Sequence, residues 1–308
     1  MELKSPMSFE QQLEKLKYHG MTAENDNETI YILSHINYYR FTGYALQFRK
    51  EADKSDFIEG TTFDKVYQIY KFDEDLRHIL RKYIEKIEVY YKTLIAYEFS
   101  MVKCIAPPHD QHYDENNFFN KRGYNDVMNS FEKEENYYRD SLIVQHHKLK
   151  YNSKMPLWVI VELMSFSNAS KVYNSMYISE KRKIASKIGT GEETLENHLH
   201  CLSVLRNKCA HAARLYNTTF NPPAKLPTSF LRKHPEIKND TLFAYIYVLL
   251  KRLPEKSMKK SLLTDLYAVL EQFDEYIHLS DMGFPEEYEK MLNSTVNNKA
   301  DTKKAMAI

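Results

Sequence analysis

At 308 residues the chain is long enough to bury a substantial core in one large domain or two. Hydrophobic residues make up 43% and charged residues 28%, which excludes a disordered chain, and 7 Gly with 10 Pro are too few for the turn density of an all-β protein. Forty-three basic residues against 42 acidic ones leave a net charge of +1, so a nucleic-acid partner has to be argued from local patches and not from overall charge.

In chain order, nearly every segment reads as helix. The opening MELKSPMSFEQQLEKL holds no continuous apolar run, so no signal peptide is expected. Within it SFEQQLEKLKYHG (8–20) has Ser8 as N-cap, Gln11 three residues on and Gly20 as C-cap. A second helix is expected over 27–48. The longest runs from about Thr62 to Val102, with Val66, Ile69, Leu76, Ile79, Leu80, Tyr83, Ile87, Leu94 and Ile95 as its apolar stripe. Arg77, Arg81, Lys82 and Lys86, among acidic neighbours, read as its solvated face. Pro107 and Pro108 break the pattern in IAPPHDQHYDENN (105–117). Helix is expected again over 118–151, over 156–176 with Pro156 as its first residue, over 179–188 and over 192–217. Beyond the loop NPPAKLPTS follow 239–253, 256–279 and a short turn at 283–292. The whole reads as an all-α, multi-helix bundle, a single domain over 1–293 with a disordered or frayed tail over 294–308. No stretch approaches a bilayer span, since LWVIVELM (157–164) is among the longest apolar runs. The expected setting is the cytoplasm, with no membrane partner. Three cysteines without metal spacing (Cys104, Cys201, Cys209) suit that reducing compartment.

The stretch RNKCAHAARLYN (206–217) carries more polar groups than a buried helix should. On an ideal wheel His200, Asn207, His211 and Arg214 share one side, opposite Leu195, Leu202, Leu205, Cys209, Ala213 and Tyr216. A polar stripe of that kind is either a bland solvent face or an imidazole presented beside an anion-binding guanidinium. Arg206 fits neither half of the wheel. It projects about 140° from His211, at the edge of the apolar face, where it needs a partner; Glu85, Glu88 and Glu162 are available.

The run R-N-x-x-A-H-x-x-R-L-Y-N resembles the RxxxxH signature of the HEPN superfamily as found in Abi-like abortive-infection proteins of the AbiD/AbiF type. Further blocks agree in order: SFEQQLEKLKYHG with LSHINYYRFTGYALQFR (33–49), QHHKLKY with PLWVIVELMSFSNASKVY (145–173), and DMGFPEEYEKM (281–291). The resemblance spans roughly residues 4–292, and one departure is Ser167, where the family usually has Gly. It implies a HEPN-like fold and a metal-independent endoribonuclease with no cofactor, in which Arg206 and His211 form the catalytic pair and Asn207 fills the polar position after the arginine. It also implies a homodimer, since such motifs usually meet in pairs and the chain has one copy. A small non-coding RNA antitoxin is implied as the neutralising partner. The residue types suit cleavage by the RNA's own 2′-hydroxyl: an imidazole moves protons near neutral pH, and a guanidinium stabilises charge at phosphorus. The alternative is a non-catalytic RNA-binding or dimerisation module in which RxxxxH is structural.

Other candidates carry two readings each. Tyr38, Tyr39, Arg40, Phe41 and Tyr44 are either core or an RNA-stacking block, with Gly43 permitting close helix packing. Candidate RNA contacts beside Arg214 and His200 are His146, Lys148 and Lys150, in a basic cluster that also holds His147 and Lys154; other clusters lie at 179–187 and 251–260. HDQH (109–112) lacks the partners of a metal site. Trp158 is expected in the core, and Cys209 as a small buried hydrophobe and not a nucleophile.

Overall fold

The computed structural model describes residues 5–52 and 54–296, and among them it is all-α, with two isolated β-bridges (Thr22 with Thr62, Arg49 with Phe57) in place of any sheet. The expected tail lies mostly at 297–308, outside the described residues, while Thr295 and Val296 are buried.

Capping chemistry sets the helix ends. In α1 (Phe9–Tyr18) the Ser8 hydroxyl accepts from the Gln11 N–H while the Gln11 side chain accepts from the Ser8 N–H, the expected capping box. The segment expected as one helix over 27–48 divides into α2 (Asp26–His35) and α3 (Tyr38–Ala45). Ile36 turns extended and the Asn37 side chain caps the new start by accepting from the Tyr39 N–H.

The spine is α4 (Phe63–Lys103), 41 residues and so about 60 Å long at 1.5 Å per residue. Thr62 caps it, and Val66, Ile69, Phe72, Leu76, Leu80 and Ile84 are fully enclosed along one side. One sequence reading fails here. Arg77, expected on the solvated face, is buried against Asp73 one turn earlier.

The expected helix over 118–151 is two, α5 (Lys121–Tyr137) and α6 (Leu142–Tyr151). That over 156–176 is also two, α7 (Leu157–Leu163) and α8 (Phe166–Ser175), because the Ser165 hydroxyl accepts from the Asn168 N–H and starts a new helix. Trp158 on α7 is 52% exposed and not in the core. Then come α9 (Ile178–Lys187) and α10 (Glu192–Ala210), followed by α11 (Thr228–Lys233), α12 (Leu242–Arg252), α13 (Lys256–Gln272) and α14 (Tyr288–Ser294). α4 packs against α3, α7, α8, α9, α10 and α13, so it is the common wall of the bundle, and α10 lies between α4, α8, α9 and α12. In the loop before α14, Gly283 has φ +79° with Thr241 within 2.5 Å of where a Cβ would stand, so only glycine fits. No described helix is long and apolar enough to cross a membrane.

Candidate functional site

The helix that carries the motif does not run to 217. It ends at Ala210, and His211 is its C-cap. Ala212 adopts the left-handed conformation at φ 51°, its N–H bonds the Cys209 carbonyl at 3.3 Å, and the Ala213 N–H reaches back to Lys208 at 2.8 Å. This is a Schellman close, made with Ala where Gly is usual. A left-handed Ala needs outside support, and the structure supplies it. Arg40 of α3 donates to the Ala212 carbonyl, and Arg77 of α4 donates to that of Ala213 at 3.4 Å.

The chain beyond the turn is held by one carboxylate. Asp73, fully enclosed, accepts from the N–H groups of Leu215 at 3.0 Å and Tyr216 at 2.8 Å, from the Tyr44 hydroxyl at 2.6 Å and from Arg77. Burial pushes its carboxyl upward, opposed by Arg77, Tyr44 and the two N–H groups. Tyr216 continues the chain of contacts by donating to Asp281 at 2.7 Å. Leu215 and Tyr216 are thereby buried, although they lie past the end of the helix on which the wheel placed Tyr216.

This geometry divides the predicted site residues. His211 is exposed at the helix end, and among the described residues no group hydrogen-bonds its imidazole. Arg206, whose side chain is 35% exposed, points instead to α4, where its Nε donates to Glu88 at 3.2 Å and its Nη1 to the Asn207 side chain at 3.4 Å. Glu88 also holds Lys92 at 2.9 Å. The partner required by the wheel is thus Glu88, with Lys92 as a second cation on the same carboxylate. His200 and Asn207 remain on the His211 side of α10, whereas Arg214 does not. It lies past the helix, half-buried, donating to the Gly43 carbonyl with its guanidinium 6.0 Å from the Tyr44 ring centroid. Gly43 serves there through its carbonyl; a Cβ would meet nothing within 4 Å, so close packing does not require the glycine.

The α3 block divides between core and surface. Phe41 and Tyr44 are core, Tyr38 is half-buried, and Tyr39 and Arg40 are exposed. Arg40 stands beside the motif through Ala212, so arginines 40, 77 and 214 converge on the turn that follows His211. The basic segment at 179–187 is spent on structure: Lys181 pairs with Glu196, Arg182 with Glu192, and Lys183 and Lys187 with Glu98. His146, Lys148 and Lys150 are exposed on α6, whose one buried residue is Val144, and no hydrogen bond of the motif turn reaches them.

Two histidines are fully structural. His112 donates through Nε2 to the Met155 carbonyl (2.9 Å) and lies 3.7 Å from the Cys104 sulfur, and burial lowers it to about 4. His198, bonded to Lys225 O at 2.8 Å, is lowered by burial to about 3. Cys209 is buried and its thiol is pushed up to about 12, which fits an inert packing residue. Among the described residues no group of three or more His, Cys, Asp or Glu is placed to hold a metal ion.

Sequence reasoning missed Asp73 and Lys92, and it singled out Tyr44 without its bond to Asp73. A signal for Asp73 was present: at 100° per residue it falls in the middle of the apolar stripe of α4, between Ile69 and Leu80. A lone carboxylate on such a stripe demands buried donors.

No curated protein and no solved structure matches the chain. A family model described as Abi-like protein matches residues 31–217, from within α2 to the last residue of the motif turn. The block at 8–20 and the one at 281–291 fall outside that match. The match covers more than half of the chain and includes α3, α4, α10 and the turn they jointly hold, and on that ground the chain belongs to the Abi-like protein family.

Proposed function

We propose that this protein is an abortive-infection ribonuclease of the HEPN type, cleaving RNA without a metal through Arg206 and His211. The observation that carries this reading is the separation of the two groups. His211 is exposed at a helix end, with no described group hydrogen-bonded to its ring, while Arg206 is turned to a carboxylate on α4. An imidazole left accessible in this way can accept the 2′-hydroxyl proton. The 2′-oxygen then attacks phosphorus, the bond from phosphorus to the 5′-oxygen breaks, and a protonated imidazole returns a proton to the leaving 5′-oxygen. The products are a 2′,3′-cyclic phosphate and a 5′-hydroxyl. Arginine stabilises the charge that develops on the phosphoryl oxygens. Arg206 and His211 diverge within one chain, so two copies facing each other supply one imidazole as base and the other as acid. Asn207, one-third of a turn from Arg206, orients its guanidinium. The neutralising partner in this reading is a small structured RNA, which keeps the copies apart in the cytoplasm.

The test is cleavage of single-stranded RNA by the purified protein in EDTA. Products with 2′,3′-cyclic ends, lost in His211→Ala, are the expected result. Activity that vanishes in EDTA and returns with Mg²⁺ overturns the mechanism. Equal toxicity of wild-type and His211→Ala protein in growing cells overturns the ribonuclease itself. A defined RNA species copurifying with the protein is expected for the neutralised form.

A further inference from the structure

The α10 face that ends in Asn207 and His211 begins a long way before them. Traced back at 100° per residue, it carries Ser203, His200, Asn197, Glu196 and Glu193. These are the α10 residues that wall a cleft of about 750 Å³, closed on its other sides by α5, α8 and the loop at 222–225. From His200 to His211 the helix rises about 16 Å, so cleft and motif lie along one continuous edge.

The residues that line the cleft are nearly all polar in type. Pro222 is the one apolar side chain in it, in contrast to the 400 Å³ cavity formed by Tyr97, Met101, Trp158 and their neighbours. Several of the polar groups are committed within the fold: Glu196 to Lys181 at 2.7 Å, Glu193 to Lys225 at 2.6 Å, and Asn197 to the backbone of Pro223 and Lys225. The side chains of Asp126 (α5), Ser167 and Lys171 (α8) and His200 (α10) make no hydrogen bond or ion pair among the described residues, and all of them line the cleft. Glu193 and Glu196 are neutralised by Lys225 and Lys181, which leaves Asp126 as the carboxylate of the lining without a cation among the described residues. A carboxylate accepts hydrogen bonds from the amino group of a base, and Lys171 can pair with a phosphate.

We propose that this cleft is a nucleobase subsite, taking an unpaired, amino-bearing base of the RNA strand whose scissile phosphate lies at His211. Asp126 accepts from the exocyclic amine, His200 and Ser167 bond the remaining edge, and Lys171 holds the adjoining phosphate. The proposal rests on the reading of the protein as an RNA-acting one, and it does not require that cleavage occur.

The test uses the full chain carrying His211→Ala, so that the RNA stays intact, and reads anisotropy of labelled hexacytidylate and hexauridylate. The expected result is tighter binding of the cytidine oligomer, since uracil has no exocyclic amine. Asp126→Ala with His200→Ala should weaken that binding about tenfold, the scale of a lost base-edge pair, and erase the preference, with an unchanged melting temperature. Ser167→Tyr, which places a bulky ring in the cleft, should do the same. Equal affinity for the two oligomers together with no effect of these variants overturns the proposal, as does failure of both oligomers to bind. Cytidine monophosphate binding as tightly as the hexamer also overturns it, by making the cleft a site for free nucleotides. Cleavage by the wild-type protein is scored separately, so a failed ribonuclease with an intact base preference leaves the cleft standing, and the reverse pattern removes the cleft alone.

Discussion

Two arginine–carboxylate pairs tie α4 to the motif segment, and they differ mainly in their access to water. Arg77 and Asp73 have side chains 4% and 0% exposed, and their hydrogen bonds are completed by Tyr44 and by the backbone of 213–216. Arg206 and Glu88 are 35% and 12% exposed, and Glu88 is shared with Lys92. In the first pair the enclosed carboxylate accepts from Arg77, Tyr44 and two backbone N–H groups, so it shapes the chain and can do little else. The second leaves part of a guanidinium facing solvent on a carboxylate that keeps a second cation when the arginine moves. Histidine repeats the contrast, with His112 and His198 enclosed and His211 open. Burial thus sets Asp73 and Arg77, which hold the motif turn from within the fold, apart from Arg206 and His211, which keep access to solvent.

The comparison can be broken by substitution, and the effects on stability should fall in a fixed order. Asp73→Ala leaves Arg77 buried and uncompensated and frees two backbone N–H groups, so it should cost about 3–5 kcal/mol. Denaturant unfolding that shows a loss below about 1 kcal/mol would mean that the buried pair does not hold the turn.

Next comes the response to acid. Folded His112 and His198 titrate near 4 and 3, below the usual value of 6.5, so the unfolded chain takes up protons first as pH falls. Their contribution is therefore complete above about pH 6.5 and is lost on acidification, on the order of 2 kcal/mol apiece by pH 5. Melting temperatures measured at pH 7 and pH 5 should fall accordingly, and a flat profile would contradict the enclosure of these rings.

Arg206→Ala removes only a partly exposed pair, and Lys92 remains to neutralise Glu88, so the loss should stay below about 1 kcal/mol. His211→Ala, on an exposed helix end, should cost less than about 0.5 kcal/mol. If the proposed chemistry holds, both changes should nevertheless lower RNA cleavage by about 10²–10⁴-fold. Thermal melts run beside cleavage assays sharpen the contrast: a large stability loss in Arg206→Ala would move that residue into the same class as Arg77.

Much was legible in the chain itself. Helical spacing of apolar residues, cap signals such as Ser8 with Gln11, and the scarcity of Gly and Pro specify an all-α protein, because they act within one turn or one helix. The same local signals singled out residues 206–217 and required a partner for Arg206. What they could not place was the end of α10. Ala212 in a left-handed conformation is locally unfavourable, and it persists because Arg40 from α3 and Arg77 from α4, more than a hundred residues earlier, bond the adjacent carbonyls of Ala212 and Ala213. The choice of Glu88 among the acids of α4, the diversion of Arg214 to Gly43 and the exposure of Trp158 are decided the same way. Each depends on which helix lies alongside, and periodicity, which reports only the faces of a single helix, carries no information about its neighbours.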